Sequence, residues 1–398
     1  MSSRRRFRFV VPLLAGALVA LLTVGAVALR PGSVTGAAEA AASVPAGPVA
    51  PAVPDGSALG PDRQPPCGPA VAALSPRDRL AQRLVVGVDA ADPGGVVETV
   101  RATQVGGIFL GGDATALLRD QALRRVQAVA RLPVAVSVDD EGGRVQRVDA
   151  LDGRLPGARR MAGRYTPEQV RDLARDRGRA LAARGVTVNF APAVDVGNQP
   201  ANAVIGDRAF SGDPAVVARY AGAFADGLRD AGILPVLKHF PGHGRADGDS
   251  HRGRVTTPPL AQLRAADLLP YAYLMRTGPV AVMVGHLDVP GLTDDLPSSL
   301  TPGTYRLLRD DFGFDGLVVT DDLGAMKAVT GTFALPDAVV RALAAGADQA
   351  LWSSGAKDAA SVAAVLDTAD VALADGRLDP ATNDRAVARI LAAKHVCT

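Results

Sequence analysis

Cysteine is nearly missing from this 398-residue sequence, which contains only Cys67 and Cys397. No cysteine lies directly after the apolar run near the N-terminus, the next being Cys67, which argues against a lipid-anchored terminus. Net charge is scarce too. The formal balance is +2, and Arg4, Arg5, Arg6, Arg8 and Arg30 contribute five positive charges with no acid among residues 1–30, so the remainder carries 2 − 5 = −3. Such a balance gives little electrostatic support for a nucleic-acid partner. No break in composition divides the chain after residue 67, so no second folded domain is indicated. Hydrophobic residues make up 48% of the chain, ample for a packed core in one large barrel or two average domains and too many for general disorder.

The basic stretch "SSRRRFRF" precedes Val10–Leu29, twenty uncharged and almost wholly apolar residues. About twenty such residues suffice to span a bilayer, whereas a cleaved export signal usually has a shorter apolar run. Small-residue cleavage sites occur in "GAAEAAAS" near Ala40, so residues 1–30 read as a signal peptide or a membrane anchor. Ser3 to Phe7 also resembles a twin-arginine export signal. Arginine on the N-terminal side predicts that the remaining chain lies outside the cytoplasm. The expected protein is therefore exported, either secreted or anchored at the outer face of the cytoplasmic membrane. Residues 31–66 are mostly Ala, Pro, Gly, Val and Ser, a composition that suits a flexible linker. In an oxidising compartment Cys67 and Cys397 could bridge the two ends of the folded region, 67–398.

From Ser75 onward, short β-rich runs alternate with amphipathic helical stretches, the pattern of a parallel α/β sheet. The runs are "RLVVGV" (83–88), "GGIFL" (106–110), "VAVSV" (134–138), "VTVNF" (186–190), "LPVLK" (234–238), "VAVMVG" (280–285), "GLVVT" (316–320) and "DQALW" (348–352). Helices between them carry their own start and stop signals: Thr166 then Pro167 before one, Asp213 then Pro214 before another, with Gly185 and Gly232 after them. Eight strands with intervening helices predict a single (β/α)8 TIM-type barrel over 67–398.

Polar residues follow five of these otherwise aliphatic runs: Asp139, Asp195, Lys238 with His239, His286, and Asp321 with Asp322. In a barrel such positions converge at the C-terminal face, where active sites of this fold lie. The densest stretch is "KHFPGHGRADGDSH", residues 238–251, which holds three of the five histidines and one of the four lysines. His239 and His243 have an i, i+4 spacing that binds zinc when helical. Pro241, Gly242 and Gly244 disfavour a helix there and Lys238 would repel a cation, so no metal is expected. Asp249 and His251, two residues apart, can pair in extended chain, the carboxylate orienting an imidazole for acid and base work near neutral pH. Asp321 or Asp322 could supply a carboxylate nucleophile. Strand alternation alone does not choose between them.

The motifs "DDEGGRVQR", "VIGDRAF", "KHFPGHGRADGDSH", "VMVGHLDVPGL" and "VVTDDLGAM" resemble, in order and over about residues 70–395, those of the glycoside hydrolase family 3 β-N-acetylglucosaminidases, the NagZ-like β-hexosaminidases. This resemblance implies a retaining glycosidase that needs no cofactor. Asp321 resembles its nucleophile, His251 its general acid/base and Asp249 the partner of that histidine. Asp139, Arg147, Arg208, Lys238 and His239 resemble the residues that hold the terminal N-acetylglucosamine. Asp140 is a departure, because such enzymes commonly have Gln there. Gly142, Gly143, Gly242 and Gly244 suit tight loops beside a ligand, and Arg144 is read as a surface charge.

The implied partner is a carbohydrate, and a monomer is the expected state. An exported address points to peptidoglycan fragments or chitin oligosaccharides. Two other readings remain at this level. A β-N-acetylglucosaminide phosphorylase is one, since a histidine acid/base tolerates an incoming phosphate better than a carboxylate would. A non-catalytic cell-wall sugar-binding protein is the other, although all three catalytic positions are filled.

Overall fold

The computed structural model describes residues 67–112 and 115–397. The expected signal or anchor segment, Val10–Leu29, and the Ala/Pro-rich stretch 31–66 lie outside the described residues. Among the described residues no helix is long and apolar enough to cross a membrane.

Each of the eight β-rich runs coincides with one strand, β5 running two residues past its run: β1 (Leu84–Gly87), β2 (Gly107–Leu110), β3 (Ala135–Val138), β4 (Val188–Asn189), β5 (Leu234–Phe240), β6 (Ala281–Val284), β7 (Val318–Thr320) and β8 (Ala350–Trp352). All neighbours pair in parallel, in the order β7-β6-β5-β4-β3-β2-β1-β8. The two ends of that order meet through a parallel bridge between Val319 and Gln349, where Thr320 N donates to Gln349 O at 3.0 Å. The result is the expected eight-stranded barrel, nearly closed. β4 is shorter than its run, although Thr187 N and Phe190 N still donate to Val136 O and Val138 O at 2.9 and 2.8 Å on either side of it.

Alternation along the strands builds two cores. Val85, Phe109, Val188, Val236, Met283, Val319 and Leu351 fill the barrel. Their neighbours Leu84, Val86, Ile108, Leu237, Val282 and Val318 pack with the helices instead. Helix Pro167–Ala183 starts with a full capping box, Thr166 with Gln169, and helix Pro214–Asp230 starts on Asp213. Gly185 at φ 92° and Gly232 at φ 76° follow them, a backbone region that L side chains disfavour.

Cys67 and Cys397 form a disulfide, with Cα atoms 5.3 Å apart, and tie the start of the described barrel to the end of helix Pro380–Ala393. The bond spans 330 residues of sequence, so its effect on the entropy of the unfolded chain is large.

Candidate active site

The two-residue period of β3 continues past its last residue. Ser137 faces the barrel axis, as do Asp139 and Glu141, whereas Asp140 faces the helix layer. There it pairs with Arg177 of helix Pro167–Ala183 at 2.7 Å, both side chains buried, and also accepts Arg147 N at 3.1 Å. Burial pushes the Asp140 carboxyl up against the opposing pull of Arg177. The position that departs from the family pattern therefore braces a loop and does not face the cavity.

The inward acids meet one buried cation and one half-buried one. Lys238, only 2% exposed, donates from Nζ to Asp139 and lies 2.7 Å from Glu141 Oε1. Arg208 grips the same Glu141 with both arms, at 2.7 and 2.8 Å. Arg147 approaches Asp139 at 3.9 Å. Arg208 Nη2 also lies 3.3 Å from His239 Nε2, and His239 Nδ1 lies 2.7 Å from Asp195 Oδ2. One continuous polar chain thus runs Arg147, Asp139, Lys238, Glu141, Arg208, His239, Asp195. Ions so enclosed are tolerable only when paired. Burial opposes the Glu141 carboxylate, yet Arg208 and Lys238 outweigh it and hold its pKa well below the usual glutamate value. Asp139 and Glu141 in turn raise Lys238 against the lowering effect of burial.

At the end of β7, hydrogen bonding separates the two candidate nucleophiles. Asp322 is fully engaged: Oδ1 accepts Gly324 N, Ala325 N and Ser353 N at 2.9, 2.9 and 3.0 Å, and Oδ2 accepts the Ser353 hydroxyl. Asp321, 8% exposed, accepts only Asp322 N at 2.8 Å, so its second oxygen has no protein partner among the described residues. Burial would raise its pKa, but His239, His286 and Lys238 outweigh that and hold it below the ordinary aspartate value. His286 props this strand end, lying 3.0 Å from Asp322 O through Nε2 and 2.6 Å from Ser299 Oγ through Nδ1.

The segment after β5 is a loop with no helix through His243. Asp249 and His251 meet in a turn, where the sequence pattern predicts extended chain. Asp249 Oδ1 accepts both His251 N and lies beside its Nδ1, each at 3.0 Å, because an aspartate can satisfy the amide two residues on. Burial would raise the Asp249 carboxyl, and the His251 amide and ring lower it overall. Ser250 between them is buried and docks the loop onto the segment after β7, its hydroxyl 3.3 Å from Met326 Sδ and its carbonyl accepting Ala328 N at 3.1 Å. The His251 side chain stays 59% exposed. Gly244 is required here, since a Cβ would lie 2.4 Å from Val196 O.

A cavity of 730 Å³ at the strands' C-terminal ends is lined by all eight residues singled out in the sequence: Asp139, Arg147, Arg208, Lys238, His239, Asp249, His251 and Asp321. Among the described residues no cluster of three or more His, Cys, Asp or Glu side chains is arranged to hold a metal ion. A barrel mouth with one uncommitted buried carboxylate, a tethered imidazole and a ring of paired cations suits nucleophilic displacement on a polyhydroxylated ligand.

Residues 77–393 match the glycosyl hydrolase family 3 N terminal domain. The chain belongs to glycosyl hydrolase family 3. Beta-hexosaminidase LpqI of Mycobacterium tuberculosis is 51% identical to it over 371 residues, which cover 91% of this chain and 92% of LpqI. Among solved structures, a family 3 glycosyl hydrolase from Mycobacterium smegmatis shares 53% identity with a TM-score of 0.77, covering 81% of this chain and 98% of that one. Beta-N-acetylhexosaminidase from Beutenbergia cavernae shares 32% with a TM-score of 0.72, covering 81% and 99%. Membership of the family makes the protein a glycoside hydrolase.

In this family 3 hydrolase, three groups outside the expected set of site residues organise the cavity. Glu141 was legible as the next inward position after Asp139, but only the fold reveals that it bridges Arg208 and Lys238. Asp195 is fully buried and accepts the amides of His239 and His243 at 3.3 and 2.7 Å, which orients the His239 ring. Arg144, read as a surface charge, lines the cavity and braces the 203–207 loop through Asp207 at 2.8 Å.

Proposed function

We propose that this glycoside hydrolase is a retaining exo-β-N-acetylglucosaminidase in which Asp321 is the nucleophile, His251 the general acid/base and Asp249 its orienting partner. The observation that carries this reading is the free oxygen of buried Asp321, lining the same cavity as His251, whose Nδ1 is held by Asp249 and whose Nε2 is left for the substrate. Names of relatives support the sugar: LpqI is a beta-hexosaminidase, and a Paenibacillus structure that is 32% identical is a family 3 beta-N-acetylglucosaminidase.

In the first step His251 gives its Nε2 proton to the glycosidic oxygen while an Asp321 oxygen bonds to the anomeric carbon and the glycosidic bond breaks. In the second, His251 takes a proton from water, the hydroxide attacks that carbon, and the bond to Asp321 breaks with the electron pair returning to the carboxylate. Two inversions give retention. Asp139, Arg147, Arg208, Lys238 and His239 hold the hydroxyls of the terminal sugar, fixed in place before it arrives by their own ion pairs. The exported address read from residues 1–30 favours peptidoglycan fragments or chitin oligosaccharides as substrates.

The test is turnover of a chromogenic N-acetyl-β-glucosaminide by the unmodified protein and by Asp321→Ala, Asp322→Ala and His251→Ala. Asp321→Ala should lose about 10⁴-fold or more in kcat, with azide restoring an α-linked glycosyl azide. His251→Ala should lose most rate on substrates with poor leaving groups and far less on activated ones. Inverted product, or full activity in Asp321→Ala, refutes the assignment. A sugar 1-phosphate product that requires added phosphate would replace hydrolysis by phosphorolysis.

A further inference from the structure

A second cavity, of 600 Å³, opens at the opposite, N-terminal end of the barrel. Barrels of this type normally fill their axis with layers of bulky side chains. Here the lowest positions include the small Ala135 and Ala281, and the space reaches inward as far as Phe190. Phe190 also lines the active-site cavity, and with Phe109, stacked at a centroid distance of 5.4 Å, it forms the partition between the two.

The walls are mainly apolar and contain no acidic residue. Their few polar groups are already engaged. Ser137 Oγ donates to Ile108 O at 2.9 Å, Gln349 Nε2 to Gln82 O at 3.2 Å, and Arg229 pairs with Asp226. Lys394, just after helix Pro380–Ala393, is the exception. Its ammonium has three donors but one partner among the described residues, the neutral Gln82 Oε1 at 2.8 Å. Burial with no neighbouring carboxylate pulls its pKa down to about 7. His395 on the same segment and the paired Arg229 are the other ionisable groups lining the space.

We propose that this lower cavity is a binding site for a small apolar monocarboxylate, with the alkyl or aryl body along the barrel axis and the carboxylate on Lys394. The chemistry follows from the lining: an apolar body replaces water against aliphatic walls, and a single negative charge supplies the partner that the lysine lacks. A neutral alcohol would leave the cation unmatched. A cation would meet no carboxylate, and a sugar would lay most of its hydroxyls against aliphatic walls.

The test is calorimetric titration of the full-length protein with decanoate below its micelle concentration, at pH 6 and pH 8, against decanol. Saturable one-to-one binding of decanoate is expected, about tenfold weaker at pH 8 as the lysine loses its proton. Lys394→Met should weaken decanoate at least tenfold at pH 6 and flatten the pH dependence, while N-acetylglucosaminide turnover stays intact and reports a folded protein. His395→Gln should bind as the unmodified protein does. Absence of saturable binding, equal affinity at the two pH values, or decanoate affinity unchanged in Lys394→Met would each overturn the site. The glycosidase reading stands or falls separately, because its assays use residues at the other end of the barrel.

Discussion

Replacing Glu141 with glutamine removes one negative charge from a buried place where two cations converge. The side chain is 5% exposed, lies 2.7 Å from Lys238 Nζ, and accepts both arms of Arg208. Breaking such a pair typically costs about 3–5 kcal/mol. Lys238 keeps Asp139 as a partner, so the lower end, about 3 kcal/mol, is expected, or a fall in Tm of about 4 °C for a barrel of this size. Arg208 loses the one carboxylate it pairs with among the described residues and Lys238 half of its neutralisation, so both would reach the sugar hydroxyls less well ordered. Misaligned hydrogen bonds to charged groups lose about 1.5–3 kcal/mol, which predicts KM raised at least tenfold with a smaller change in kcat. Thermal melting and steady-state kinetics on a chromogenic N-acetyl-β-glucosaminide measure the two effects, and Glu141→Asp separates charge from reach. A Gln variant with Tm within 1 °C and an unchanged KM would show that the network does not organise the cavity.

Asp140→Ala strands Arg177 in the helix layer, so stability should fall by about 3–5 kcal/mol while kcat/KM well below the melting temperature changes less than twofold; chemical denaturation and kinetics check this. Reduction of the Cys67–Cys397 bond should cost up to about 5 kcal/mol through the 330-residue separation it closes, with retained activity at low temperature; melting with and without dithiothreitol reads it. Glu141, Asp195 and Asp249 all titrate below their ordinary values in the folded state. Depressed folded pKa values give stability that is fully present above the unfolded values, about 4, and lost as pH falls through the folded ones. Tm measured against pH should therefore decline gently below about 7, where burial of His243 and His286 resists protonation, and fall steeply below about 4, and Glu141→Gln should blunt the steep fall.

Local patterns in the chain specify the number and order of the strands, the helix starts at Thr166 and Asp213, and the set of side chains gathered at the barrel mouth. Each of these follows from a local period of two or 3.6 residues, from a cap, or from a run of motifs read in order. Tertiary structure alone decided which of two adjacent aspartates keeps a free oxygen, because Asp322 is consumed by Ser353, which lies on a different strand end. It also decided that Glu141 bridges Arg208 and Lys238, and that Ser250 docks on Met326, 76 residues away. A hydrogen-bond partner distant in the chain leaves no periodic trace, so a residue's type can be read in advance while its remaining bonding capacity cannot.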